Sequence, residues 1–233
     1  MKKRMKWLIP LSAVAIVAVV AAVALILHLS NPDPIVYEPG TVIYQDDQVT
    51  AKVVEPAAQR QNFYPVYALT EEDIFVAHHI IATGTVKNIR EVEISYTDLG
   101  GPTTKVVTLF DFYVDEYVKN DTRNLRSQAM LTVGWSNSSY HWSDDAPVLE
   151  DGADYLLFME ALSELKTEGV MGRIHYADAW VLAPEMLAYK KHNNSYAVKN
   201  FLSEHFSEAQ WAVRDTKLLE IIKERVDEIM EVN

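Results

Sequence analysis

The residues best suited to chemistry lie in one polar loop, residues 135–145. The loop concentrates aromatic rings, hydroxyls and acids, and its candidate partner-binding residues are Trp135, Tyr140, His141, Trp142, Asp144 and Asp145. Aromatic side chains bury a large area at low entropic cost, so the three aromatic residues can stack on a sugar or a peptide. The alternative is a long loop held down by its own aromatic rings.

Metal and cofactor signals are weak throughout the chain. Asp144 and Asp145 could supply oxygens to Ca²⁺, but that ion needs six to eight of them and no glycine-punctuated ligand series is present. His78 and His79 are adjacent, so on a strand they point to opposite faces. No His-x-x-x-His or His-x-His pair occurs, and no phosphate loop or dinucleotide fingerprint is found. We therefore predict no metal site and no cofactor.

A catalytic relay is also poorly supported. A serine of the loop with His141 and Asp144 can be drawn, but the chain lacks the Gly-x-Ser-x-Gly turn that exposes such a nucleophile. The chain has no cysteine, which excludes disulfides, thiolate metal ligands and a cysteine nucleophile. We predict no catalytic residue.

The first thirty residues predict where these side chains work. Four basic residues within residues 1–6 precede an uncharged apolar run of 23 residues, 7–29, which includes Trp7, Leu8, Val14, Val20, Leu25 and Leu29. As a helix the run is about 34 Å long, enough for a hydrocarbon core of about 30 Å. The positive-inside bias then places the N-terminus in the cytoplasm and the main domain outside. A cleaved secretory signal is the alternative, although such signals have shorter apolar stretches and small residues at the cleavage site.

Charge limits the partners of the exterior part. Beyond the basic tip the chain holds 17 basic and 33 acidic residues, a formal charge of −16. Nucleic-acid binding needs a basic surface, so it is disfavoured, as is docking of the domain surface on anionic lipid. The alternative explanation of the acidity is that it only keeps an exported domain in solution.

The domain boundaries follow from composition. We predict a cytoplasmic tip at 1–6, a transmembrane anchor at 7–29, a proline-rich linker at 30–40, a β domain at 41–206 and a C-terminal helix at 207–233. Within the β domain, strands are predicted at 79–87, 91–97, 103–118, 128–135, 153–162 and 176–182. Hairpin turns are predicted at 46–47, 98–102 and 193–194.

Three details of these elements bear on packing. Val106, Phe110, Phe112, Val114 and Val118 alternate with more polar residues, which indicates a strand with one buried face. Gly84, in mid-strand, indicates a bend or a close backbone approach. The C-terminal segment repeats apolar residues at helical spacing, which predicts a helix packed on the sheet or bound to a partner, namely Leu218, Leu219, Ile222, Val226, Ile229 and Met230.

The order of signals from 73 to 159 resembles a known module. It runs through Ile80-Ile-Ala-Thr-Gly-Thr-Val86, a long strand ending Glu116-Tyr-Val-Lys-Asn120, Met130-Leu-Thr-Val133 and Leu149-Glu-Asp-Gly-Ala-Asp-Tyr-Leu-Leu-Phe158. It is similar to the OB-like β-barrel of exported, membrane-anchored bacterial proteins, related in architecture to netrin and metalloproteinase-inhibitor modules. The inhibitors act through an N-terminal cysteine that this chain lacks, so inhibition is not implied. The resemblance implies a fold that often binds other molecules.

Together these observations predict a mainly β protein with an OB-like β-barrel, a short helix and a C-terminal amphipathic helix, preceded by one transmembrane helix. Its expected role is non-enzymatic binding or assembly in the cell envelope, with an envelope protein or glycan as partner and no nucleic acid. One alternative is a hydrolase of an envelope polymer that uses Asp144, Asp145 and Asp111. Another is a structural spacer that presents the C-terminal helix to a partner.

Overall fold

Ten segments of the chain are described by the computed structural model: residues 37–57, 61–62, 75, 78–98, 100–135, 141–142, 148–162, 176–182, 187–197 and 212–232. The chain divides into two units, Met1–Ile35 and Val36–Asn233, and every described residue belongs to the second. The described part is mainly β, as the sequence predicts, with one α-helix. None of its helices is long and apolar enough to cross a membrane, and the predicted anchor at 7–29 lies outside it.

Twelve strands are present in the described segments. They are β1 (Val42–Gln45), β2 (Val49–Val54), β3 (Gln61–Asn62), β4 (Ile80–Asp98), β5 (Gly101–Asn120), β6 (Met130–Trp135), β7 (His141–Trp142), β8 (Asp154–Ala161), β9 (Ala179–Val181), β10 (Ala188–His192), β11 (Ser195–Ala197) and β12 (Ala212–Arg214). Ten of them form one sheet in the order β1-β2-β4-β5-β6-β9-β8-β10-β11-β12, and β3 pairs with β7 separately. Helix α1 (Asp215–Val232) follows β12.

Five strands of the large sheet close into a ring. β4 pairs antiparallel with β5, β5 with β6 and β8 with β9, while β6 and β9 are parallel. A further antiparallel pairing of β4 with β8 completes the circuit. The first half of β4 belongs to this ring, whereas its second half pairs with β2. The ring therefore continues into an arm built from β1, β2 and the distal halves of β4 and β5.

Apolar side chains form two cores, and both take side chains from the centre of β5, which is buried on both faces. Phe110 and Phe112 belong to the larger cluster, which we call the inner core and which takes buried residues from all five strands of the ring. Val107 and Leu109, at alternate positions, contribute to an outer core with β2 and the aromatic residue Trp180. The prediction of one buried face is therefore wrong for the middle of this strand, where every residue from 107 to 112 is buried. A strand shared by two cores reads as a continuous buried run.

β4 is one strand where the sequence predicts two. Asn88, between the predicted strands, has a φ of 54° and marks an irregularity in the pairing with β5 between Lys87 and Arg90. Asparagine tolerates this left-handed conformation better than most residues. The resulting bulge bends β4 where it leaves the ring and enters the arm, without ending the strand.

Local turn signals are confirmed at all three hairpins. β1 and β2 flank 46–47, where Asp46 Oδ1 accepts the backbone N–H groups of Gln48 and Val49 at 2.8 and 2.7 Å. β4 and β5 meet across 98–101. Asn193 and Asn194, with φ of 49° and 61°, join β10 to β11 as a two-residue turn with positive φ requires.

Helix α1 packs its apolar face on the ring. Ile222 and Val226 are buried in the inner core, and Lys223 pairs with Glu116 of β5. The helix begins at Asp215, later than the predicted start at residue 207, because residues 212–214 are extended and pair with β11. The sequence pattern does not show that a strand at the edge of the sheet directly precedes the helix.

Candidate functional site

Trp135, the first residue of the predicted binding loop, lies in the interior. It ends β6, its side chain is 2 % exposed, and its ring meets Phe110 edge to face at 6.0 Å between centroids. A ring enclosed in this way packs the inner core and has no face open to a ligand. The structure thus corrects the prediction that Trp135 stacks on a partner.

The rest of the loop is described only at its centre. His141 and Trp142 form β7, which pairs in parallel with Gln61 and Asn62 of β3. The backbone thus joins the loop to a segment eighty residues earlier, a contact that no local pattern announces. Tyr140, Asp144 and Asp145 lie outside the described residues.

Asp111, the third carboxylate of the hydrolase alternative, is committed to a buried ion pair. Its Oδ1 lies 3.0 Å from Nη1 of Arg90, and its Oδ2 accepts the side-chain N–H of Asn88 at 2.8 Å. Arg90 also donates to the backbone oxygen of Asn88 at 2.8 Å. The carboxylate therefore holds the bulge of β4 in place.

A polar surface that the sequence did not single out lies on the outside of the ring. We define the outer face by Thr85, Lys87, Tyr113, Asp115 and Asp154. Thr85 lies directly across from Tyr113 on β5 and from Asp154 on β8, and its hydroxyl donates to Asp154 Oδ1 at 2.8 Å. The ammonium of Lys87 lies 4.9 Å from the centre of the Tyr113 ring. Next to Tyr113, β6 begins with Met130, which is 41 % exposed.

A bulge brings Asp115 onto this face. The pairing of β4 with β5 shifts between Thr83 and Gly84, so that Asp115 is the extra residue. Gly84 permits the shift, because a Cβ there would lie 2.2 Å from the backbone oxygen of Tyr113. The close approach that the mid-strand glycine predicts is confirmed, and this glycine is the signal that could have located the face.

The electrostatics of the outer face depend on the carboxylates of Asp115 and Asp154 and on the nearby amine of Lys191. Partial burial raises the pKa of Asp115, the nearby carboxylate of Asp154 raises it further, and Lys191 lowers it. With a phenol, a hydroxyl and an ammonium beside them, these groups can donate and accept hydrogen bonds to a polar partner. The described residues contain no group of three or more His, Cys, Asp or Glu placed to hold a metal ion.

A polar residue pair joins β6 to the start of β9. The backbone N–H of Thr132 on β6 donates to Asp178 Oδ2 at 2.8 Å, and the backbone N–H of Asp178 donates to Thr132 O at 2.7 Å. Burial raises the pKa of Asp178, while the hydrogen bond from Thr132 lowers it. These two hydrogen bonds hold Asp178 directly before β9 begins, so Asp178 has a structural role near the outer face.

Comparison of the chain with models of known protein families finds no match, and comparison with curated proteins finds none either. We therefore infer the function from the residues and geometry described above.

Proposed function

We propose that this protein is a membrane-anchored, extracytoplasmic binding or assembly module of the cell envelope, built on an OB-like β-barrel and acting without catalysis. Support for the barrel comes from the five-stranded closed ring, which is the strand number of the OB fold. The four sequence signals of the resemblance fall on four of these strands, β4, β5, β6 and β8. The fifth, β9, closes the ring by its parallel pairing with β6.

The outer face carries the binding proposal. OB folds bind ligands on the face of their second and third strands and on flanking loops, and the corresponding strands here are β5 and β6. Tyr113 projects from this face beside Lys87, in a row that continues to Thr85 and Asp154. An aromatic ring among hydrogen-bonding groups suits a glycan or a polar protein surface.

The loop 135–145 remains a second candidate surface. It continues from the end of β6, and its central residues His141 and Trp142 are fixed by pairing with β3. With Trp135 in the core, the side chains proposed to meet the partner are Tyr140, His141, Trp142, Asp144 and Asp145. The outer face and the loop lie toward opposite ends of β6, so they can be tested separately.

The two alternatives have less support. The hydrolase alternative can no longer draw on Asp111, whose carboxylate is paired with Arg90, and depends on Asp144 and Asp145 alone. The spacer alternative needs an apolar helix face for a partner, yet Ile222 and Val226 of α1 are buried against the ring.

The test is capture with the full-length protein as bait, after mild cross-linking in intact cells, alongside binding of the purified protein to isolated cell-wall glycan. One variant removes the outer-face side chains, Lys87→Ala with Tyr113→Ala. A second removes the loop aromatics, Tyr140→Ala with Trp142→Ala. The matched control is Asp47→Asn, at the exposed turn between β1 and β2.

We expect one envelope component, protein or glycan, to bind the parent and the control and to lose most of its binding to one of the two variants. Loss in the first variant assigns the outer face, and loss in the second assigns the loop. Binding that survives in both variants contradicts both surfaces. Absence of any specific binding contradicts the module itself, and Asp144→Asn with Asp145→Asn then tests hydrolysis of the same glycan.

A further inference from the structure

The chain enters the described unit as a packed segment. The side chain of Tyr37 is partly buried against the outer core, and its ring centre lies 4.6 Å from Cζ of Arg90. Just beyond it, the N–H of Gly40 donates to Val53 O at 2.8 Å, and the N–H of Val53 donates to Thr41 O at 2.9 Å. The described end of the predicted linker is therefore fastened to β2 and to Arg90.

Arg90 connects this segment to the bulge of β4. Its guanidinium donates to the backbone oxygen of Asn88 at 2.8 Å and pairs with Asp111, while its buried Nε has no hydrogen-bond partner among the described residues. The ring of Tyr37 lies over this guanidinium, where a cation and an aromatic face attract each other. Tyr37 therefore helps to hold Arg90 in the position that supports Asn88.

Asn88 in turn holds the loop that precedes β8. Its backbone N–H donates to Asp151 Oδ1 at 2.7 Å. In the same loop, Gly152 donates to Val86 O at 2.7 Å, and Val86 donates to Ala153 O at 3.0 Å. Direct contacts thus run from Tyr37 through Arg90 and Asn88 to the loop 148–152, which follows the candidate binding loop in the chain.

We propose that Tyr37 is a strap that couples the entering chain to the loop 148–152 through Arg90 and the bulge at Asn88. Release of Tyr37 from the guanidinium loosens the bulge and frees the loop from Asn88. Because coupling between two sites is reciprocal, release of the loop also loosens the strap. The coupling does not require the proposed function. A partner that bound near the loop would nevertheless also affect how the entering chain is held.

Hydrogen exchange of the full-length protein in detergent micelles tests the strap. Tyr37→Ala should raise the exchange rates of the Asn88 and Gly152 amides by about tenfold, since local opening sets these rates. Tyr37→Phe keeps the ring and should leave both rates near those of the parent. Tyr44→Ala is the matched control, because Tyr44 packs against the same outer core and does not contact Arg90 among the described interactions.

The reverse direction of the coupling is tested with Asp151→Ala. This variant should raise the exchange rate of the amide of Gly40, which lies in the entering chain near Tyr37. The proposal is overturned if Tyr37→Ala leaves Asn88 and Gly152 unchanged, or if Tyr44→Ala raises them equally. It is also overturned if Asp151→Ala leaves Gly40 unchanged. Should Tyr37→Ala fail to fold, Tyr37→Leu keeps an apolar side chain in the outer core, removes the ring and gives the same readout.

Discussion

Arg90 and Asp111 form an ion pair inside the protein, with Nη1 and Oδ1 3.0 Å apart and side chains only 7 % and 10 % exposed. The pair lies where β4 leaves the ring. Two charges withdrawn from water in this way depend on each other, because either one alone would remain buried without compensation.

Removal of Asp111 should therefore be costly. We expect Asp111→Ala to lower the free energy of unfolding by about 3–5 kcal/mol, as breaking a buried pair commonly does. Urea unfolding of the full-length protein in detergent measures the change. The control is Glu93→Ala, whose partner Lys52 lies 3.6 Å away at the surface and should be worth less than about 1 kcal/mol. Equal effects of the two variants would contradict the buried role.

Gly84 should not accept a side chain. A Cβ would lie 2.2 Å from the backbone oxygen of Tyr113, so Gly84→Ala must shift β4 against β5. We expect a loss of about 1–3 kcal/mol, typical of overpacking. Thr85→Ala, at the next position, removes one hydrogen bond and should cost about 1 kcal/mol. A stable Gly84→Ala protein with unchanged spectra would refute the close approach.

Trp135 should matter for folding before it matters for binding. Its ring fills the inner core, so Trp135→Ala should cost about 3–5 kcal/mol. The thermal midpoint of the full-length protein, followed by near-ultraviolet circular dichroism, gives the test. A Trp135→Ala protein that melts like the parent would mean that the ring is not part of the core.

Ile222 tests the packing of α1. It is fully buried in the inner core, and Ile222→Ala should cost about 2–5 kcal/mol in urea unfolding. Glu224, two positions along and exposed, is the matched control, and Glu224→Ala should stay within about 0.5 kcal/mol of the parent. If Ile222→Ala had no effect on stability but abolished partner capture, the spacer alternative would gain support.

Glu160 should make stability depend on pH. Burial raises the pKa of this side chain above the ordinary 4.5, so the folded state holds its proton more tightly than the unfolded chain. Stability is then lost as pH rises from the unfolded pKa through the folded one. Glu160→Gln should be more stable than the parent at pH 7, and the advantage should vanish below the ordinary pKa.

Thermal midpoints of both proteins between pH 4 and 7 measure this difference. Glu220→Gln, at an exposed position of α1, is the control and should follow the parent throughout. An advantage of Glu160→Gln that persisted unchanged at low pH would point to packing instead of charge.

Several elements could be predicted because their causes are local. Asp46 and the pair Asn193–Asn194 form hairpin turns through their own side chains and backbone preferences, and neighbouring residues suffice to recognise them. Gly84 likewise reports a close approach by its lack of a side chain. The period of α1 appears in the sequence because one face of a helix repeats every three to four residues.

The placement of the candidate sites depended on contacts that are distant in sequence. Trp135 looks like a loop aromatic until Phe110 and the rest of the inner core surround it. Asp111 looks like a free carboxylate until Arg90 is brought beside it. The row of Tyr113, Thr85 and Asp154 exists only because β4 pairs with β5 and β8 at once.

By itself, the amino-acid sequence determined the mainly β character, the hairpins and the amphipathic period of the C-terminal helix, since each follows from residues close together in the chain. The tertiary structure alone decided the closed ring, the two faces on which β5 is buried and the continuity of β4 through Asn88. These features depend on pairings such as β6 with β9, whose partners lie more than forty residues apart. The sequence of one strand does not show with which distant strand it will form hydrogen bonds. Only the folded chain therefore shows which side chains share a surface.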